Sequence, residues 1–250
     1  MKRPPKADAS TVLGVNNRYC EHIDVPSIPM VWRLVAAIAG CGLLTHCSGA
    51  PPVSESTASS PRAIEPESAV VTHVTAAELG PTWHPGCPVA ADQLRRVTLT
   101  HLGFDNRPHR GEIIVHQDLV GSVIAIFDRL YRLGFPIEKM QSAANYPDGD
   151  DERSMEANNT SAFNCRRIPG SGNWALHAYG RAIDVNPLLN PSITHSGFEP
   201  RNAGVYLDRR RIEPGLLHDG DDAVRVFTDA GWAWGGHWRS PVDYQHFERP

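Results

Sequence analysis

The amino-acid sequence predicts an α+β fold with a small antiparallel sheet and flanking helices. Only two segments carry apolar residues at helical spacing, whereas several short runs are typical of strands. Long polar loops separate these runs, which favours short antiparallel strands over a large sheet. The chain of 250 residues has room for one ordinary domain and an appendage.

The first predicted elements are a strand over 111–116, GEIIVH, and the helix that follows it. Asp118 is interpreted as the cap of this helix, and Gly134 with Pro136 as its end. Its apolar residues recur at helical spacing, namely Val120, Ile124, Phe127 and Tyr131. This helix is therefore expected to pack on the sheet.

The second half of the chain predicts a polar loop, two strands, a helix and two final strands. The loop covers 146–160, and the strands that follow cover 161–167 and 180–186. The second helix covers about 221–230 and ends at Gly231. The final strands are predicted at 232–234, WAW, and 243–248, DYQHFE.

The N-terminal region predicts export. Residues 34–45, LVAAIAGCGLLT, follow Arg33 and form an apolar run that is too short to span a bilayer but suits a signal peptide. Met30 precedes the run and is a candidate start. Residues 1–47 are accordingly interpreted as an upstream extension and a signal peptide.

The end of the apolar run resembles a lipoprotein signal in which Cys47 would be acylated. Leu44 stands three positions before Cys47, although His46 departs from the small residue that is usual there. An alternative at Cys41 has better local residues but leaves a very short apolar core. Location in the cell envelope is expected, and membrane attachment through Cys47 is left open.

Residues 48–72 predict a disordered linker, and 73–250 the folded domain. The linker is rich in Ser, Pro, Ala and Glu and cannot bury enough apolar surface to fold. In the domain, Cys87 and Cys165 predict a disulfide, with two separate buried thiols as the alternative. A net charge of −4 argues against a nucleic-acid partner, and a monomer is expected.

Two short motifs predict a metal site. His177 stands seven residues before Asp184, with Gly180 between them for a sharp turn, and Asp243 stands three residues before His246. Two imidazoles and one carboxylate form a three-ligand zinc site whose fourth position is open for water. Asp243 is interpreted as a carboxylate that takes a proton without binding the metal. Either motif alone is weak.

Together the motifs resemble the VanY-type D-alanyl-D-alanine carboxypeptidases, in the zinc-peptidase group that includes lysostaphin and the zinc domain of hedgehog proteins. Residues 175–184, ALHAYGRAID, meet the family pattern S-x-H-x-x-G-x-A-x-D, except that Ala175 replaces the usual Ser. Residues 243–248 meet the second pattern, an acidic residue before a His that is followed by an aromatic residue and Glu. Residues 234–238, WGGHW, also fit.

The resemblance implies the zinc-peptidase fold and a zinc site of His177, Asp184 and His246 with Asp243 as the catalytic base. It also implies an upstream Arg that binds substrate and stabilises negative charge, for which FNCRR offers Arg166, preferred over Arg167. Glu248 shares a strand face with His246 and is a candidate to hold that ligand's second nitrogen.

The function that the resemblance implies is zinc-dependent hydrolysis of peptidoglycan stem peptides, as a D-alanyl-D-alanine carboxypeptidase. An endopeptidase that cuts between L-Ala and D-Glu of the stem is the close alternative, because the same residues would serve it. A zinc-stabilised wall-binding module without turnover is an alternative of another class. Asp243 and Arg166 argue against it, since a module without turnover needs neither residue.

Overall fold

A computed structural model describes residues 65–250. The predicted signal peptide, Cys47 and most of the predicted linker lie outside this range. Within the described part of the chain, no helix is long and apolar enough to cross a membrane.

Residues 65–250 contain helices and small sheets, which confirms the predicted α+β class. The α-helices are α1 (Ala76–Leu79), α2 (Val120–Arg132), α3 (Asp151–Glu156) and α4 (Asp222–Asp229). The strands are β1 (Val70–His73), β2 (Leu94–Leu102), β3 (Pro108–His116), β4 (Lys139–Met140), β5 (Asn159–Thr160), β6 (Ala182–Asp184), β7 (Ser192–Ile193), β8 (Phe198–Glu199), β9 (Ala233–Trp234), β10 (Val242–Asp243) and β11 (His246–Glu248).

The described strands form three small antiparallel sheets rather than the single one that was predicted. Their orders are β1-β2-β3, β10-β7-β8 and β6-β11-β9, and a parallel pair, β4-β5, stands apart. Strand β1 pairs with β2, so residues 70–72, which were assigned to the disordered linker, lie in a sheet. The β-branched residues of the VVT sequence suit this pairing.

Helices α2 and α4 pack on the sheets as expected. The buried face of α2 consists of Val123, Ile126, Phe127 and Leu130. Of the predicted apolar positions only Phe127 is fully buried, so the inward face is rotated from the prediction. Gly134 ends this helix with a left-handed φ of 72°, as predicted, whereas Asp118 is not its cap: its carboxylate pairs with Arg181 at 3.0 Å.

Two other predictions for secondary structure are wrong. Residues 161–167 do not form a strand, because their backbone amides donate to four separate parts of the fold: Ser161 to Asp184, Phe163 to Ile114, Asn164 to His177 and Cys165 to Thr82. The predicted polar loop at 146–160 contains α3, which begins where the Asp150 carboxylate accepts a hydrogen bond from the Arg153 amide at 3.1 Å.

The core fixes the position of β6 and β11. Ile183 of β6 and Phe247 of β11 are fully buried, and Phe247 stacks on Phe227 of α4 with ring centroids 3.8 Å apart. Since side chains alternate along a strand, the residues on either side of Phe247 and Ile183 face the opposite side of the sheet. That opposite side carries the polar cluster described next.

Candidate metal centre

Asp184, His177 and His246 converge in a buried cluster. Asp184 Oδ2 lies 3.1 Å from His177 Nε2, and Asp184 Oδ1 lies 3.0 Å from His246 Nδ1. The two imidazoles are also adjacent, with His177 Nε2 3.1 Å from His246 Nδ1. The exposed fraction is only 3% for His177, 4% for Asp184 and 7% for His246. The structure therefore brings together the three residues that the sequence predicted as ligands.

The pairing register of β6 and β11 accounts for two of the three positions. His246 lies directly opposite Asp184 in this antiparallel pair. Residues directly opposite each other place their side chains on the same face, about 5 Å apart. Two segments separated by more than sixty residues thus present a carboxylate and an imidazole to one point.

A tight turn places His177. It lies in a short 3-10 helix, Leu176–Tyr179, which ends at Gly180 with φ 67° and ψ 29°. A Cβ on Gly180 would lie 2.7 Å from the His116 amide nitrogen, so both the left-handed backbone and the close approach require glycine. The chain then enters β6, where Asp184 follows.

Each imidazole is fixed through its outer nitrogen. His177 Nδ1 lies 2.5 Å from the Ala162 carbonyl oxygen, and His246 Nε2 lies 3.1 Å from Glu248 Oε2. Both partners accept hydrogen bonds, so these nitrogens carry protons, and His177 Nε2 and His246 Nδ1 point into the cluster. Acceptors of this kind orient ligating histidines in metal sites. Glu248 thus makes the contact for which the sequence made it a candidate.

The charges of the cluster are strongly linked. Burial lowers the pKa of His246, but hydrogen bonds to Asp184 and Glu248 outweigh it and raise that pKa to about 10. Burial raises the pKa of Asp184, whereas the charges and hydrogen bonds of His177 and His246 bring it well below its ordinary value. The carboxylate is therefore ionised, and a metal ion that binds here would displace protons.

The donor set fits a divalent transition metal. One atom from each of His177, Asp184 and His246 can be chosen so that all three lie within 4.8 Å of one another. Two neutral imidazole nitrogens and one carboxylate oxygen are ligands of catalytic zinc sites, in which a further position is left for water or substrate. These three residues therefore form the candidate metal-binding group.

A second group of potential ligands does not fit a metal. His84, Cys87 and Cys165 lie close together, but the two sulfurs are joined in a disulfide 2.05 Å long. Disulfide sulfurs are not thiolates and do not act as metal ligands. The disulfide predicted from the sequence is present, and it precedes Arg166 directly.

Asp243 lies beside the cluster without joining it. The residue is half-buried in β10, opposite Ser192 of β7, so the strand predicted over 243–248 is divided between β10 and β11. Its Oδ1 is buried with no hydrogen-bond partner among the described residues. Burial raises the pKa of Asp243 to about 6; the charge of His246 acts in the opposite direction, and the charge of Asp184 adds to the increase. A carboxylate with this pKa can accept a proton near neutral pH.

Arg166 lies in the electric field of the same cluster. Burial lowers the pKa of its guanidinium, but carboxylates outweigh that effect and raise it, with Asp151 the strongest and Asp184, Asp243 and Glu199 following. Its direct partner is Asp151, whose Oδ2 lies 2.8 Å from Arg166 Nε. Arg167, the other candidate, instead stacks over Trp174 at 4.0 Å and donates to the Gly172 carbonyl.

Three further contacts hold the residues of the site in place. The backbone carbonyl of Ala162 accepts a hydrogen bond from His177, and a backbone contact of this kind cannot be predicted from residue types. Gly235 packs so closely that a Cβ there would lie 2.7 Å from the Asp243 carbonyl oxygen and 3.3 Å from His246 Cβ. Trp238 lies against His246 with ring centroids 5.2 Å apart. The WGGHW motif was noticed as a pattern, and the structure shows this packing role for it.

Two histidines near the motifs are not part of the cluster. His237 is exposed and lies 2.9 Å from Asp219, and His195 is exposed in the turn between β7 and β8. Neither histidine contributes a ligand atom to the cluster.

The small α+β domain, the buried histidine-carboxylate cluster and the separate carboxylate beside it are typical of metal-dependent peptidases. Residues 169–249 match the family model Peptidase_M15_4, D-alanyl-D-alanine carboxypeptidase, which confirms the predicted resemblance over that segment. The segment includes the three candidate ligands and Asp243, whereas Arg166 lies just before it. Neither the curated proteins nor the solved structures contain a match to this chain.

Proposed function

We propose that this protein is a zinc-dependent peptidase that hydrolyses peptidoglycan stem peptides, acting as a D-alanyl-D-alanine carboxypeptidase. The observation that supports it most is the buried cluster of His177, Asp184 and His246 beside a carboxylate, Asp243, that is not a member of the cluster. The family match over 169–249 supports the same class of substrate.

His177, Asp184 and His246 would hold the zinc ion, with Ala162 and Glu248 fixing the two imidazoles. Zinc, when bound, would supply Lewis-acid chemistry that polarises the scissile carbonyl and lowers the pKa of water, so that water becomes a nucleophile near neutral pH. Because the ligands are buried and already oriented, the site needs little rearrangement to bind the ion.

Asp243 acts in this proposal as the proton carrier. Its unpartnered Oδ1 accepts the proton of the attacking water, and the same carboxyl group then delivers that proton to the leaving amine. A pKa raised to about 6 suits both steps, because the group is ionised at neutral pH yet basic enough to take a proton.

Arg166 stabilises the negative charge that develops on the carbonyl oxygen. A guanidinium retains its charge at any relevant pH and can donate two hydrogen bonds to one oxyanion or carboxylate. The Arg166 amide donates to the Asn164 carbonyl, and the Asn164 amide donates to the His177 carbonyl, which supports a position close to the metal cluster.

The proposal extends to the setting of the enzyme. We infer export to the cell envelope through the predicted signal peptide, with residues 48–72 as a tether and Cys47 as a possible lipid anchor. The disulfide Cys87–Cys165 agrees with an oxidising compartment. A hedgehog-like zinc-peptidase arrangement and a monomeric state complete the proposal.

The test incubates the zinc-loaded protein with a stem pentapeptide ending in D-Ala-D-Ala and identifies the products by mass spectrometry. Loss of one alanine, abolished by a chelator and restored by zinc, is the expected result. A cut between L-Ala and D-Glu would instead establish the endopeptidase. Stoichiometric zinc without any cleavage would favour the wall-binding module.

Asp243→Asn tests the role of Asp243 in proton transfer. The variant keeps the size of the side chain and should bind zinc as well as the wild type does, while turnover falls by about 10²- to 10⁴-fold. Unchanged turnover would refute the role assigned to Asp243.

A further inference from the structure

Arg166 is held by one specific carboxylate. Among residues 65–250, Asp151 is the only acidic residue that forms an ion pair with Arg166, with 2.8 Å between Asp151 Oδ2 and Arg166 Nε. Both side chains are largely covered, with 24% of the Asp151 side chain and 33% of the Arg166 side chain exposed. Such a pair orients an arginine more firmly than an exposed pair does, because solvent screens it less.

Asp151 is itself fixed from two directions. It is the first residue of α3, whose preceding residue Asp150 caps the helix. Its other oxygen, Oδ1, lies 3.4 Å from Asn164 Nδ2, and that amide also donates to the Gly149 carbonyl at 3.3 Å. The carboxylate therefore uses one oxygen for Asn164 and the other for Arg166.

Asn164 connects this pair to the metal cluster. Its backbone amide donates to the carbonyl of His177 at 3.3 Å, and its own carbonyl accepts a hydrogen bond from the Arg166 amide at 2.9 Å. Asp151, Arg166 and the ligand His177 are thus linked through a single buried residue. A change at Asp151 affects Arg166 first, because that contact is direct.

The charges explain why Arg166 needs a fixed partner. Asp184 and Asp243 both attract the guanidinium, yet one is a candidate ligand and the other the proposed base. An arginine that moved onto either carboxylate would neutralise a group that the reaction needs. Asp151 Oδ2 lies 2.8 Å from Nε as its ion-pair partner, whereas the terminal Nη atoms of Arg166 make no hydrogen bond to any described residue and are available to substrate.

We propose that Asp151 is a positioning residue that holds Arg166 in the orientation needed to stabilise the carbonyl oxygen. The inference rests on the proposed function, since it assigns Asp151 a role in that reaction. It concerns a residue outside the segment that matches the family model.

The test compares Asp151→Ala and Asp151→Asn with two control variants of the same helix start. Glu152→Gln removes a neighbouring carboxylate whose partner is the exposed Arg201. Asp150→Ala removes the helix cap but leaves the pair with Arg166 intact. Steady-state kinetics and zinc content are measured for each variant.

Asp151→Ala should lower kcat by about 10- to 100-fold, since a misplacement of about 1 Å can cost roughly 10²-fold. KM and zinc content should change little, and Asp151→Asn should be intermediate because it keeps an acceptor without the charge. Both control variants should retain wild-type kcat. A loss of kcat in Asp150→Ala as large as that in Asp151→Ala would overturn the proposal in favour of a structural role for α3.

A double-mutant cycle separates action through Arg166 from any other effect. If Asp151 acts only through Arg166, then adding Asp151→Ala to Arg166→Ala should cause no further loss of kcat. If the two substitutions lower kcat independently, so that their fold losses multiply in the double variant, the proposal is overturned.

A readout without turnover keeps this inference separate from the proposed function. The Nε–H resonance of Arg166, assigned by its absence in Arg166→Lys, should exchange slowly with water in the wild type and rapidly in Asp151→Ala. Equal exchange in both proteins would overturn the assigned contact. If the wild type cleaves no stem peptide, the proposed function fails, and exchange alone then decides whether Asp151 holds Arg166.

Discussion

Asp184 and His246 face each other across the antiparallel pair β6-β11, with Asp184 Oδ1 3.0 Å from His246 Nδ1. The outer nitrogen of the same imidazole lies 3.1 Å from Glu248 Oε2, two residues along β11. A carboxylate on each side therefore fixes the ring, one inside the candidate metal cluster and one outside it. This arrangement makes Glu248 the residue through which the affinity for metal can be changed without removing a ligand.

Glu248→Gln is expected to weaken zinc binding by about 10- to 100-fold, because the imidazole loses a charged acceptor that orients it. The folded structure should persist, since Glu248 is only half-buried. Competition with a chromogenic chelator measures the change. His237→Gln serves as the control, since His237 is exposed and pairs with Asp219 outside the cluster. Equal affinity in Glu248→Gln and wild type would contradict the orienting role.

The pH dependence of turnover should follow the ionisation of the Asp243 carboxyl group. Burial raises the pKa of this carboxyl group to about 6 in the metal-free protein, and a bound dication can only lower it. The base must be ionised to accept a proton, so activity is present above that pKa and is lost as the pH falls through it. With zinc in excess, kcat/KM should decline on the acid side with an apparent pKa no higher than about 6. An acid limb centred above pH 7 would assign the proton transfer to another group.

Gly235→Ala should damage the site from outside the candidate ligands. The added methyl group would lie 2.7 Å from the Asp243 carbonyl oxygen and 3.0 Å from Asp243 Cβ, so the strand that carries Asp243 must shift. Overpacking of this kind costs about 1–3 kcal/mol of unfolding free energy. Denaturant unfolding and turnover should both show the loss. Gly121→Ala is the control, because a Cβ at that helix position meets no atom within 4 Å.

The cluster of His177, Asp184 and His246 was predictable because short-range motifs encode it. Gly180 must turn the chain between His177 and Asp184, and that need is visible as a glycine at fixed spacing. The face shared by His246 and Glu248 follows from the period of a strand. The exact neighbour of Asp243 was not predictable, since β10 pairs with β7, a strand fifty residues earlier that no local pattern indicates.

The same limit explains the errors in the fold. The nine-residue strand β2 was missed because Arg95, Arg96 and Thr98 interrupt its apolar residues; Arg96 is neutralised by Glu112 on the neighbouring strand. Residues 161–165 are buried as a central strand would be, but their amides bond to four separate segments. Burial is visible in composition, whereas the partner of a backbone hydrogen bond is set by distant parts of the chain.

Removal of the disulfide should destabilise the domain. Cys87 and Cys165 are 78 residues apart in sequence, and a bond across so long a loop restricts the unfolded chain considerably. Cys87→Ala combined with Cys165→Ala should therefore lose about 2–5 kcal/mol of unfolding free energy. Chemical denaturation of the variant and of the oxidised wild type measures the difference. A midpoint that does not change would show that the native contacts around Cys165 suffice.

The pH dependence of stability should be traceable to His101. This residue of β2 is only 5% exposed, its Nδ1 has no hydrogen-bond partner among the described residues, and its ring stacks on that of His109. Burial lowers the pKa of His101 and is the largest effect. The backbone at Leu102 opposes it, the charge of His109 lowers the pKa further, and the backbone at Ile137 and the charge of Asp105 raise it more weakly, so the pKa stays below its ordinary value. The unfolded chain therefore binds a proton more readily than the folded domain does.

It follows that stability is lost as the pH falls below about 6.5, the ordinary pKa of histidine, and onward through the lower pKa of the folded state. His101→Leu cannot titrate, so its unfolding free energy should depend less on pH between about 6.5 and 5 than that of the wild type. Denaturant unfolding at a series of pH values measures the two slopes. His195→Gln, which alters an exposed histidine, should keep the wild-type slope. Equal slopes for His101→Leu and wild type would assign the acid sensitivity to other groups.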